Sequence, residues 1–524
     1  MKYERKIAVI LGVIIVSLVS GIAYSFYTGV IDNSNHHTQN VDSASMALTY
    51  TDCADSKVSD CSNITAQLQP GESITKTFKV ENTGTIDVDY NLEFKEVIST
   101  FVNSELRYSL ETIDGTPIIV DGVIGYGNNS HVYIYSDSLA VGNSKEYRMT
   151  ITFFDNYYGN NESNAGATFN IKLGITTEDH REVPRGAAAT LKNRVSAYST
   201  SSTNTITLDP PSNGSCTNTL AYDGTKDNNL RYVGANPCNY AYVGGYAFRI
   251  IGLFNNIDDG TGKRVSMLKL IRRDSIGSYG WDSSLSSINN GYGINEWNQA
   301  DMMNVLNGGP YWTGVAGYCP QGRNEGRSAC DFSSKYMQDS GKDLISDVVW
   351  NLGATSGTIS NTTGGVAEAL YNTERGIDTG KACTSGNLCN DTEKRYTTWF
   401  GKVGLLYPSD YAFATSGGNT VSRESCLTEH PLGYYAASGW NKSENSDCKN
   451  NDWLYLSSSQ WTLTAHRTSN SSTYVLNVDS VGSIDNGNSY APMAIRPVIY
   501  LKPNVVIASG NGSSSNKYTF QLAS

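Results

Sequence analysis

The stretch "LQPGESITKTFKVENTGTIDVDYNL", Leu68 to Leu92, decides the fold of the N-terminal part of the chain. Apolar and polar residues alternate in "SITKTFKV" and again in "DVDYNLEF", and the segment between them is rich in turn-forming residues. Alternation places every second side chain on the same face, which is typical of a half-buried antiparallel strand. The sequence therefore predicts two antiparallel strands joined through a turn.

The same alternation recurs in four further short runs, "ITAQL", "HVYIYS", "KEYRMTITFF" and "ATFNIKLGIT". Gly and Asn turns separate these runs, and several strands at this spacing are typical of a β-sandwich. Residues 46–178 are therefore predicted to form an all-β sandwich domain.

The opening stretch resembles the camelysin and biofilm-fibre proteins of Gram-positive bacteria. The resemblance rests on the proline-glycine turn at Pro70, the strand end "FKVENTG" and the later "TITF", and it covers roughly 130 residues. Some members of that family are called metallopeptidases, but this sequence has no HExxH motif, and a zinc hydrolase needs three ligands and a base. The resemblance implies a surface or matrix role more than proteolysis.

The N-terminus has the pattern of an export signal. Lys2, Arg5 and Lys6 precede an uncharged apolar run from Ile7 to about Tyr27, long enough at ~1.5 Å per residue to cross ~30 Å of hydrocarbon. Residues 1–30 are predicted to be a transmembrane anchor or a signal peptide, with the anchor favoured, and residues 31–45 a polar tether. The protein would then lie at the extracellular face of the cell membrane, or be secreted if the segment is cleaved.

Composition and charge limit the partners. The chain of 524 residues is long enough for two or three domains, and its 50 glycines and 34 tyrosines, with only 17% charged residues, favour turn-rich β structure. A net charge of −11 without clusters of Lys and Arg argues against nucleic acid. The predicted partners are the membrane, through the N-terminal segment, and an extracellular glycan or protein.

Ten cysteines agree with an exported protein. They fall as five sequence neighbours, which predicts the local pairs Cys53–Cys61, Cys216–Cys238, Cys319–Cys330, Cys383–Cys389 and Cys426–Cys448. Spacing alone does not fix the connectivity, and free thiols remain the alternative.

The C-terminal part mixes strand-like and helical patterns. Residues 179–205 read as a linker with a short Ala-rich helix, residues 206–505 as an α+β domain, and residues 506–524 as a C-terminal strand or tail. Helices are predicted in "INEWNQADMMNVLN", with Asn295 as its N-cap, in "KDLISDVVWNLG", and near Val366. Strands at both ends indicate that the two ends of the domain meet in one sheet.

A second resemblance covers about Tyr222 to Pro503. The motifs "YDGTKDNNLRYVGANP", "YNTERG", "WFGKVGLLYPSDYAFA", "WTLTAH" and "AIRPVIYLKP" together resemble an uncharacterised domain of exported Gram-positive proteins. The last two motifs, and the polar stretch between them, are also similar to the C-type-lectin-like fold of formylglycine-generating-enzyme relatives. That similarity implies ligand-facing loops between the tryptophan strand and "RP", and it makes Trp461, Thr464, His466 and Arg496 a candidate ligand face.

Catalytic and metal motifs are sparse. The sequence predicts no cofactor, and calcium is the one ion whose ligand chemistry stays open, at "NNIDDG" from Asn255 to Gly260, which lacks the terminal Glu of a twelve-residue calcium loop. The sequence predicts a membrane-anchored surface protein that binds or adheres through its C-terminal domain. Two alternatives stay open: an extracellular hydrolase or formylglycine-type enzyme using Glu296, His430, His466 or Cys426, and a structural subunit of a fibre or matrix.

Overall fold

The computed structural model describes most of the chain from residue 37 onward. The described residues are 37–41, 44–50, 63–102, 105–154, 164–177, 184–196, 205–207, 216–217, 219–284, 289–353, 355–356, 366–375, 377–378, 381–382, 398–429, 431, 439–441, 445–468 and 471–523. Among these residues, no helix combines the length and apolar character needed to cross a membrane. The apolar run from Ile7 to Tyr27, predicted to be an anchor or signal, lies outside them.

Two sheets packed face to face form the N-terminal domain. Their strands are β1 (His37–Val41), β2 (Ala44–Tyr50), β3 (Asn63–Ala66), β4 (Ser73–Asn82), β5 (Val88–Ser99), β6 (Leu106–Thr112), β7 (Pro117–Val123), β8 (Gly127–Leu139), β9 (Ser144–Phe153) and β10 (Phe169–Thr176). One sheet has the order β1-β2-β4-β9-β6-β7 and the other β3-β10-β5-β8. All the neighbouring pairs in these two sheets are antiparallel.

The core of this sandwich comes from the alternation seen in the sequence. In β9, Tyr147, Met149, Ile151 and Phe153 are buried while the residues between them are more exposed. The strand runs predicted from the sequence are confirmed, but β1 begins inside the segment predicted to be a tether. A polar segment forms a strand here because the backbone of β2 supplies its hydrogen-bond partners, whatever its side chains are.

The C-terminal domain is built on a ten-stranded sheet and a six-stranded sheet. Its strands are β11 (Thr205–Thr207), β12 (Thr219–Tyr222), β13 (Leu230–Tyr232), β14 (Tyr240–Val243), β15 (Tyr246–Asp258), β16 (Arg264–Arg272), β17 (Ser278–Tyr279), β18 (Gly317–Pro320), β19 (Arg327–Cys330), β20 (Val348–Asn351), β21 (Thr355–Ser356), β22 (Ile377–Asp378), β23 (Lys381–Ala382), β24 (Thr398–Gly401), β25 (Val403–Gly404), β26 (Gln460–Thr468), β27 (Ser471–Val478), β28 (Ile484–Asn488), β29 (Met493–Ala494), β30 (Val498–Tyr500), β31 (Val505–Ser509) and β32 (Tyr518–Leu522).

The larger sheet has the order β11-β12-β13-β15-β14-β32-β31, with β16 beside β15 and β30 between β16 and β25. Strands from both ends of the domain therefore share one sheet, as predicted. The smaller sheet has the order β17-β29-β26-β27-β28, with β21 beside β26. Both β15 and β16 are buried along almost their whole length, which explains why "FRIIGLF" is a continuous apolar run and not an alternating one.

Short helices connect and cover these sheets. They are α1 (Gly186–Ser196), α2 (Asp301–Asn307), α3 (Pro310–Thr313), α4 (Asp339–Lys342), α5 (Ala367–Glu374), α6 (Pro408–Phe413), α7 (Arg423–Thr428) and α8 (Ser446–Asn450), with 3-10 turns at Asn289–Gly291, Trp297–Gln299 and Gly439–Asn441. The predicted linker helix is α1, and it packs its buried face into the C-terminal core. Gly186 has φ +55°, and a Cβ there would lie 2.1 Å from the carbonyl oxygen of Val505, so only glycine fits this contact.

Two helix predictions are wrong in detail. Of "KDLISDVVWNLG", only Lys342 is helical, as the last residue of α4; Val348–Asn351 form strand β20, because Val348 and Val349 are β-branched and β20 pairs with β24. Asn295 is not an N-cap, since α2 begins after Ala300 and the Asn295 side chain donates to the carbonyls of His466 and Tyr474. The helix near Val366 is confirmed as α5.

Three disulfides join the predicted neighbours Cys216–Cys238, Cys319–Cys330 and Cys426–Cys448. The other two predicted pairs, Cys53–Cys61 and Cys383–Cys389, lie outside the described residues. The three observed pairs bridge short loops of the C-terminal domain, where helices and strands are short and local covalent links limit the unfolded chain.

Candidate functional site

The four residues predicted to form a ligand face lie in the interior of the C-terminal domain. The exposed fractions of Trp461, Thr464, His466 and Arg496 are 0%, 2%, 4% and 2%. The indole N–H of Trp461 donates to the carbonyl of Tyr279 at 3.1 Å, across the core. These four side chains therefore do not form an exposed surface, which corrects the prediction.

The guanidinium of Arg496 is held by hydrogen bonds inside the domain. Its Nε donates to the carbonyl of Arg272 at 2.9 Å, and its Nη1 donates to Oε1 of Gln460 at 3.3 Å. Burial lowers its pKa to about 9. The "RP" motif thus links β30 to β16 and β26 and does not present a guanidinium to solvent.

The polar stretch after Trp461 also differs from its prediction. His466 belongs to strand β26, and the following residues form β27 and β28, which pair as an antiparallel hairpin. Burial lowers the pKa of His466 to about 4, so its imidazole is neutral at pH 7. A ladder of backbone hydrogen bonds replaces the variable loop expected from the Asn, Ser and Gly content.

Of the residues proposed for an enzyme, one is disulfide-bonded, two are buried and one lies outside the described residues. The sulfur of Cys426 is bonded to Cys448, so it is not available as a nucleophile. Glu296 is buried, and His430 lies outside the described residues. The catalytic alternative therefore loses Cys426 as its nucleophile.

A polar cleft lies between the sandwich and the C-terminal domain, and we call it the junction cleft. It holds about 700 Å³ of open space, solvent at its mouth included. It is lined by Ile119, Val123, Lys226, Asp227, Asn255, Asn256, Ile257, Asp258, Arg264, Val349, Asn351, Arg375 and Thr398. Strand β7 supplies one wall, and the turn after β12, the β15–β16 hairpin, β20, β24 and the end of α5 supply the rest.

Direct contacts between the two domains form beside this cleft. The side chain of Tyr108 on β6 is hydrogen-bonded to Arg264 on β16. The backbone of Gly125 approaches Thr261 so closely that a Cβ on Gly125 would lie 2.1 Å from the Thr261 carbonyl atoms. These contacts hold the two walls of the junction cleft together.

Both carboxylate oxygens of Asp227, one of the two acids of the cleft, already have partners within the protein. Its Oδ1 accepts a hydrogen bond from Asn256 at 2.7 Å, its Oδ2 accepts one from the Tyr371 hydroxyl, and Nε of Arg375 lies 3.7 Å from Oδ2. Burial alone would raise the pKa of Asp227, but Arg375 and Lys226 outweigh it and hold this pKa below its usual value. Asp227 is therefore ionised and engaged within the protein.

Only one of the two carboxylate oxygens of the other acid, Asp258, accepts a hydrogen bond. Its Oδ1 accepts a hydrogen bond from the Gly260 amide at 2.9 Å, but its buried Oδ2 makes no hydrogen bond. Burial raises the pKa of Asp258 to about 6, against the opposing effect of Arg264. The buried hydroxyl of Thr398 also lacks a partner. A buried polar atom without a hydrogen bond costs about 1–3 kcal/mol, so both atoms favour a partner in the cleft.

Three cations face the cleft. Lys226 is exposed to the space of the cleft, and the surrounding protein lowers the pKa of its ammonium by desolvation. Arg264 and Arg375 are more enclosed; burial opposes their charge, but nearby Tyr and Asp residues raise the pKa of both guanidinium groups. All three side chains are cationic at neutral pH.

A buried ionic network lies behind the cleft. Arg231 donates from Nε to Asp223 at 2.9 Å and from Nη1 to Oδ1 of Asp410 at 3.0 Å. Oδ2 of Asp410 accepts from Nζ of Lys269 at 2.5 Å and from the Tyr407 amide at 2.9 Å. Burial would raise the pKa of Asp410, but the nearby charges of Lys269 and Arg231 lower it by more. The pKa therefore lies below its usual value, and the carboxylate stays ionised. Burial lowers the pKa of Lys269 to about 8.

The network and the cleft are connected through Tyr371. Asn229 donates to Oδ2 of Asp223 at 2.9 Å and to the Tyr371 hydroxyl at 3.2 Å, and Tyr371 donates to Asp227 in the cleft wall. This chain of hydrogen bonds fixes the position of Asp227 relative to the rigid centre of the domain.

The calcium alternative finds no support in this geometry. The side-chain oxygen of Asn255 already accepts the Ser266 hydroxyl at 2.8 Å, and Asp258 is close to the guanidinium of Arg264. Within the described part of the chain, no group of three or more His, Cys, Asp or Glu side chains has the arrangement of a metal site.

The sequence singled out one part of the cleft, the "NNIDDG" stretch from Asn255 to Gly260, but as a possible calcium site; the other cleft residues were not predicted, although a signal exists for them. The motifs "YDGTKDNNLRYVGANP" and "YNTERG" contain Lys226, Asp227 and Arg375. In a chain with only 17% charged residues, charges inside such motifs are informative. Their convergence with Asp258 and Arg264 depends on the tertiary fold.

The fold and the site define a β-rich multidomain protein with a polar cleft between two domains. The family model described as Camelysin metallo-endopeptidase matches residues 1–105, which gives the N-terminal region a camelysin-like character. The match covers 105 of 524 residues and contains no HExxH motif. No curated protein matches the chain.

Proposed function

We propose that this chain is a membrane-anchored surface protein of Gram-positive type, in which the camelysin-like sandwich carries a ligand-binding C-terminal domain outside the cell. The basic N-terminus followed by an uncharged apolar run supports export. The three disulfides support an oxidising environment. Adhesion or capture of an extracellular molecule is the activity that this placement would serve.

The observation that carries the binding function is the junction cleft. Ligand sites are concave, often lie between domains, and contain a few converging polar groups, including titratable groups with shifted pKa values. The cleft has each of these properties, with Asp258 and Thr398 presenting buried polar atoms that lack partners. We also propose a C-type-lectin-like fold for this domain, supported by the order of its final motifs, but with the ligand in the junction cleft and not at Trp461.

Binding is tested by a screen of the purified full chain in detergent. Neutral, acidic and basic saccharides, and short peptides, are added in turn while the thermal unfolding of the protein is followed by tryptophan fluorescence. All eight tryptophans lie between residues 281 and 461, so the signal reports on the C-terminal domain. A ligand present at 100 times its Kd should stabilise the domain by about 2.7 kcal/mol. Absence of stabilisation by every class would contradict the proposed function.

A matrix subunit is the second function with a specific observation behind it. The six-stranded sheet of the sandwich ends in β1, an edge strand of five residues in the camelysin-like region. Edge strands have unpaired backbone groups that can join another chain. Filaments of the full chain in electron micrographs, formed without any ligand, would favour this alternative over ligand capture.

A further inference from the structure

We propose that the junction cleft binds a sugar acid, that is, a small hydroxylated ligand carrying one anionic group. This inference rests on the proposed binding function and specifies the ligand class of the same site. It follows from the balance of charge in the cleft, from its unused hydrogen-bonding atoms, and from its apolar wall.

The charge of the cleft favours an anion. Lys226, Arg264 and Arg375 contribute three positive charges, against two carboxylates at Asp227 and Asp258. Asp227 is already bound by Asn256, Tyr371 and Arg375, so it has little capacity left for a ligand. The field inside a concave site that is lined by protein concentrates ions of the opposite sign. A cationic ligand would meet the three basic groups and is disfavoured.

Lys226 is the group best placed to meet the anion. Its side chain is exposed within the cleft, and its ammonium interacts electrostatically with Asp227, whose oxygens already accept hydrogen bonds from Asn256 and Tyr371. An ammonium in this position gains a charge-assisted hydrogen bond when an anionic oxygen enters the cleft. Arg375 differs, because it already contacts Asp227 and stacks 3.3 Å from the centre of the Tyr371 ring.

The remaining polar atoms suit hydroxyl groups. Oδ2 of Asp258 accepts a hydrogen bond, and the Thr398 hydroxyl both donates and accepts; both atoms are buried and unpaired. A ligand hydroxyl satisfies each of them without adding charge. Ile119 and Val123 of β7 offer an apolar surface to the C–H groups of a sugar ring. A simple inorganic anion would leave these two polar atoms and this wall unused.

Calorimetry of the full chain tests the ligand class. The probes are sodium glucuronate, glucose 6-phosphate, methyl glucoside and glucosamine, which compare a carboxylate, a phosphate ester, a neutral sugar and a cationic sugar on similar rings. We expect the better of the two anions to bind at least about 10-fold more tightly than methyl glucoside, since one charge-assisted hydrogen bond gives roughly that factor. Whichever anion binds more tightly identifies the acid group.

Equal binding of methyl glucoside and both anions would overturn the inference, and so would the absence of binding by all four probes. These failures differ from failure of the proposed function. If a neutral or basic ligand is found in the broader screen, the binding function stands and only the ligand class is wrong.

Variants separate the role of Lys226 from a general effect on the protein. Lys226→Met should weaken glucuronate or glucose 6-phosphate about 10-fold and leave methyl glucoside unchanged. Lys335→Met is the matched control, because Lys335 is also exposed but lies outside the cleft and is contacted through its backbone carbonyl. If both variants lost the same affinity, or neither did, Lys226 would not be the anion-binding group.

The affinity for glucuronate, whose carboxylate stays ionised over the pH range of the measurement, should also depend on pH. The charged and titratable groups facing Asp258 are Arg264, Tyr108 and Asp259, and burial raises the pKa of Asp258 to about 6. Protonation of Asp258 below that pH removes a negative charge from the cleft, so binding should tighten about 3- to 5-fold between pH 7.5 and 5.5. Asp258→Asn should bind as tightly at pH 7.5 as at 5.5. A pH profile that persists in this variant would exclude Asp258 as the cause.

Discussion

Replacing Asp410 by alanine is expected to destabilise the C-terminal domain by about 3–5 kcal/mol, because the change leaves the buried ammonium of Lys269 without its ion-pair partner and Arg231 with Asp223 alone. Asp410 accepts hydrogen bonds from Arg231, Lys269 and the Tyr407 amide, and the two cations are completely buried. Denaturant unfolding followed by tryptophan fluorescence measures the loss in this domain alone, since every tryptophan belongs to it.

The double variant Lys269→Met with Asp410→Asn is the informative comparison. It removes one positive and one negative charge together and keeps an oxygen to accept from Arg231, so we expect it to recover at least half of the lost stability. Asp339→Ala is the control, because Asp339 pairs with Lys342 at the surface. Its removal should leave the unfolding midpoint unchanged. A stable Asp410→Ala protein would mean that water or another acid compensates the two cations.

Replacing Trp461 by alanine should cost the same domain about 3–5 kcal/mol, because the indole is fully buried and its removal leaves a large cavity. The indole N–H also gives up its hydrogen bond to the Tyr279 carbonyl, which then stays buried without this donor. Thermal unfolding followed by circular dichroism measures the effect without relying on the lost fluorophore.

The same variant distinguishes a core residue from a ligand-binding residue. Trp461→Phe keeps most of the packing, so it should lose less stability than alanine and leave the affinity of the junction cleft unchanged. Tyr318→Ala provides a surface comparison, since Tyr318 is 68% exposed. If Trp461→Ala unfolded like the unchanged protein but lost ligand affinity, the ligand face predicted from the sequence would be restored.

The strands of the sandwich were predictable because one face of each strand is exposed to solvent and the other is buried in the core. In β4 and β9 this difference appears directly as alternation. Strand β7, which forms the wall of the junction cleft, contains "PIIVDGV" and does not alternate. Its apolar residues Ile119 and Val123 line the cleft between domains, so its pattern reflects a contact that the local sequence does not reveal.

For the C-terminal domain, the sequence predicts an α+β domain whose two ends share one sheet. It does not predict every helix and strand correctly. The segment from Val348 to Asn351 has the spacing of a short helix and forms a strand because β24, nearly fifty positions later, pairs with it. The polar stretch after His466 predicts a loop from its composition, yet it forms β27 and β28. Pairing between distant strands overrode local propensity in both cases.

The cleft could not be predicted because its groups are far apart in the chain. Lys226 lies in a turn after β12, Arg264 at the start of β16, and Arg375 after α5. Each residue alone has the appearance of an ordinary surface charge. The hydrophobic pattern predicts that the elements exist, but which of their ends meet at the sandwich is a property of the assembled domains.

The position of β32 has a consequence for how the molecule is made. This strand pairs in parallel with β14 and lies between β14 and the terminal strand β31, so β31 is not joined to the larger sheet until residues 518–522 are present. A ribosome or export channel releases β14 about 275 residues before its neighbour. One edge of β14 therefore stays unpaired until β32 has been made, and an unpaired strand edge is a site where another chain can add and aggregation can begin.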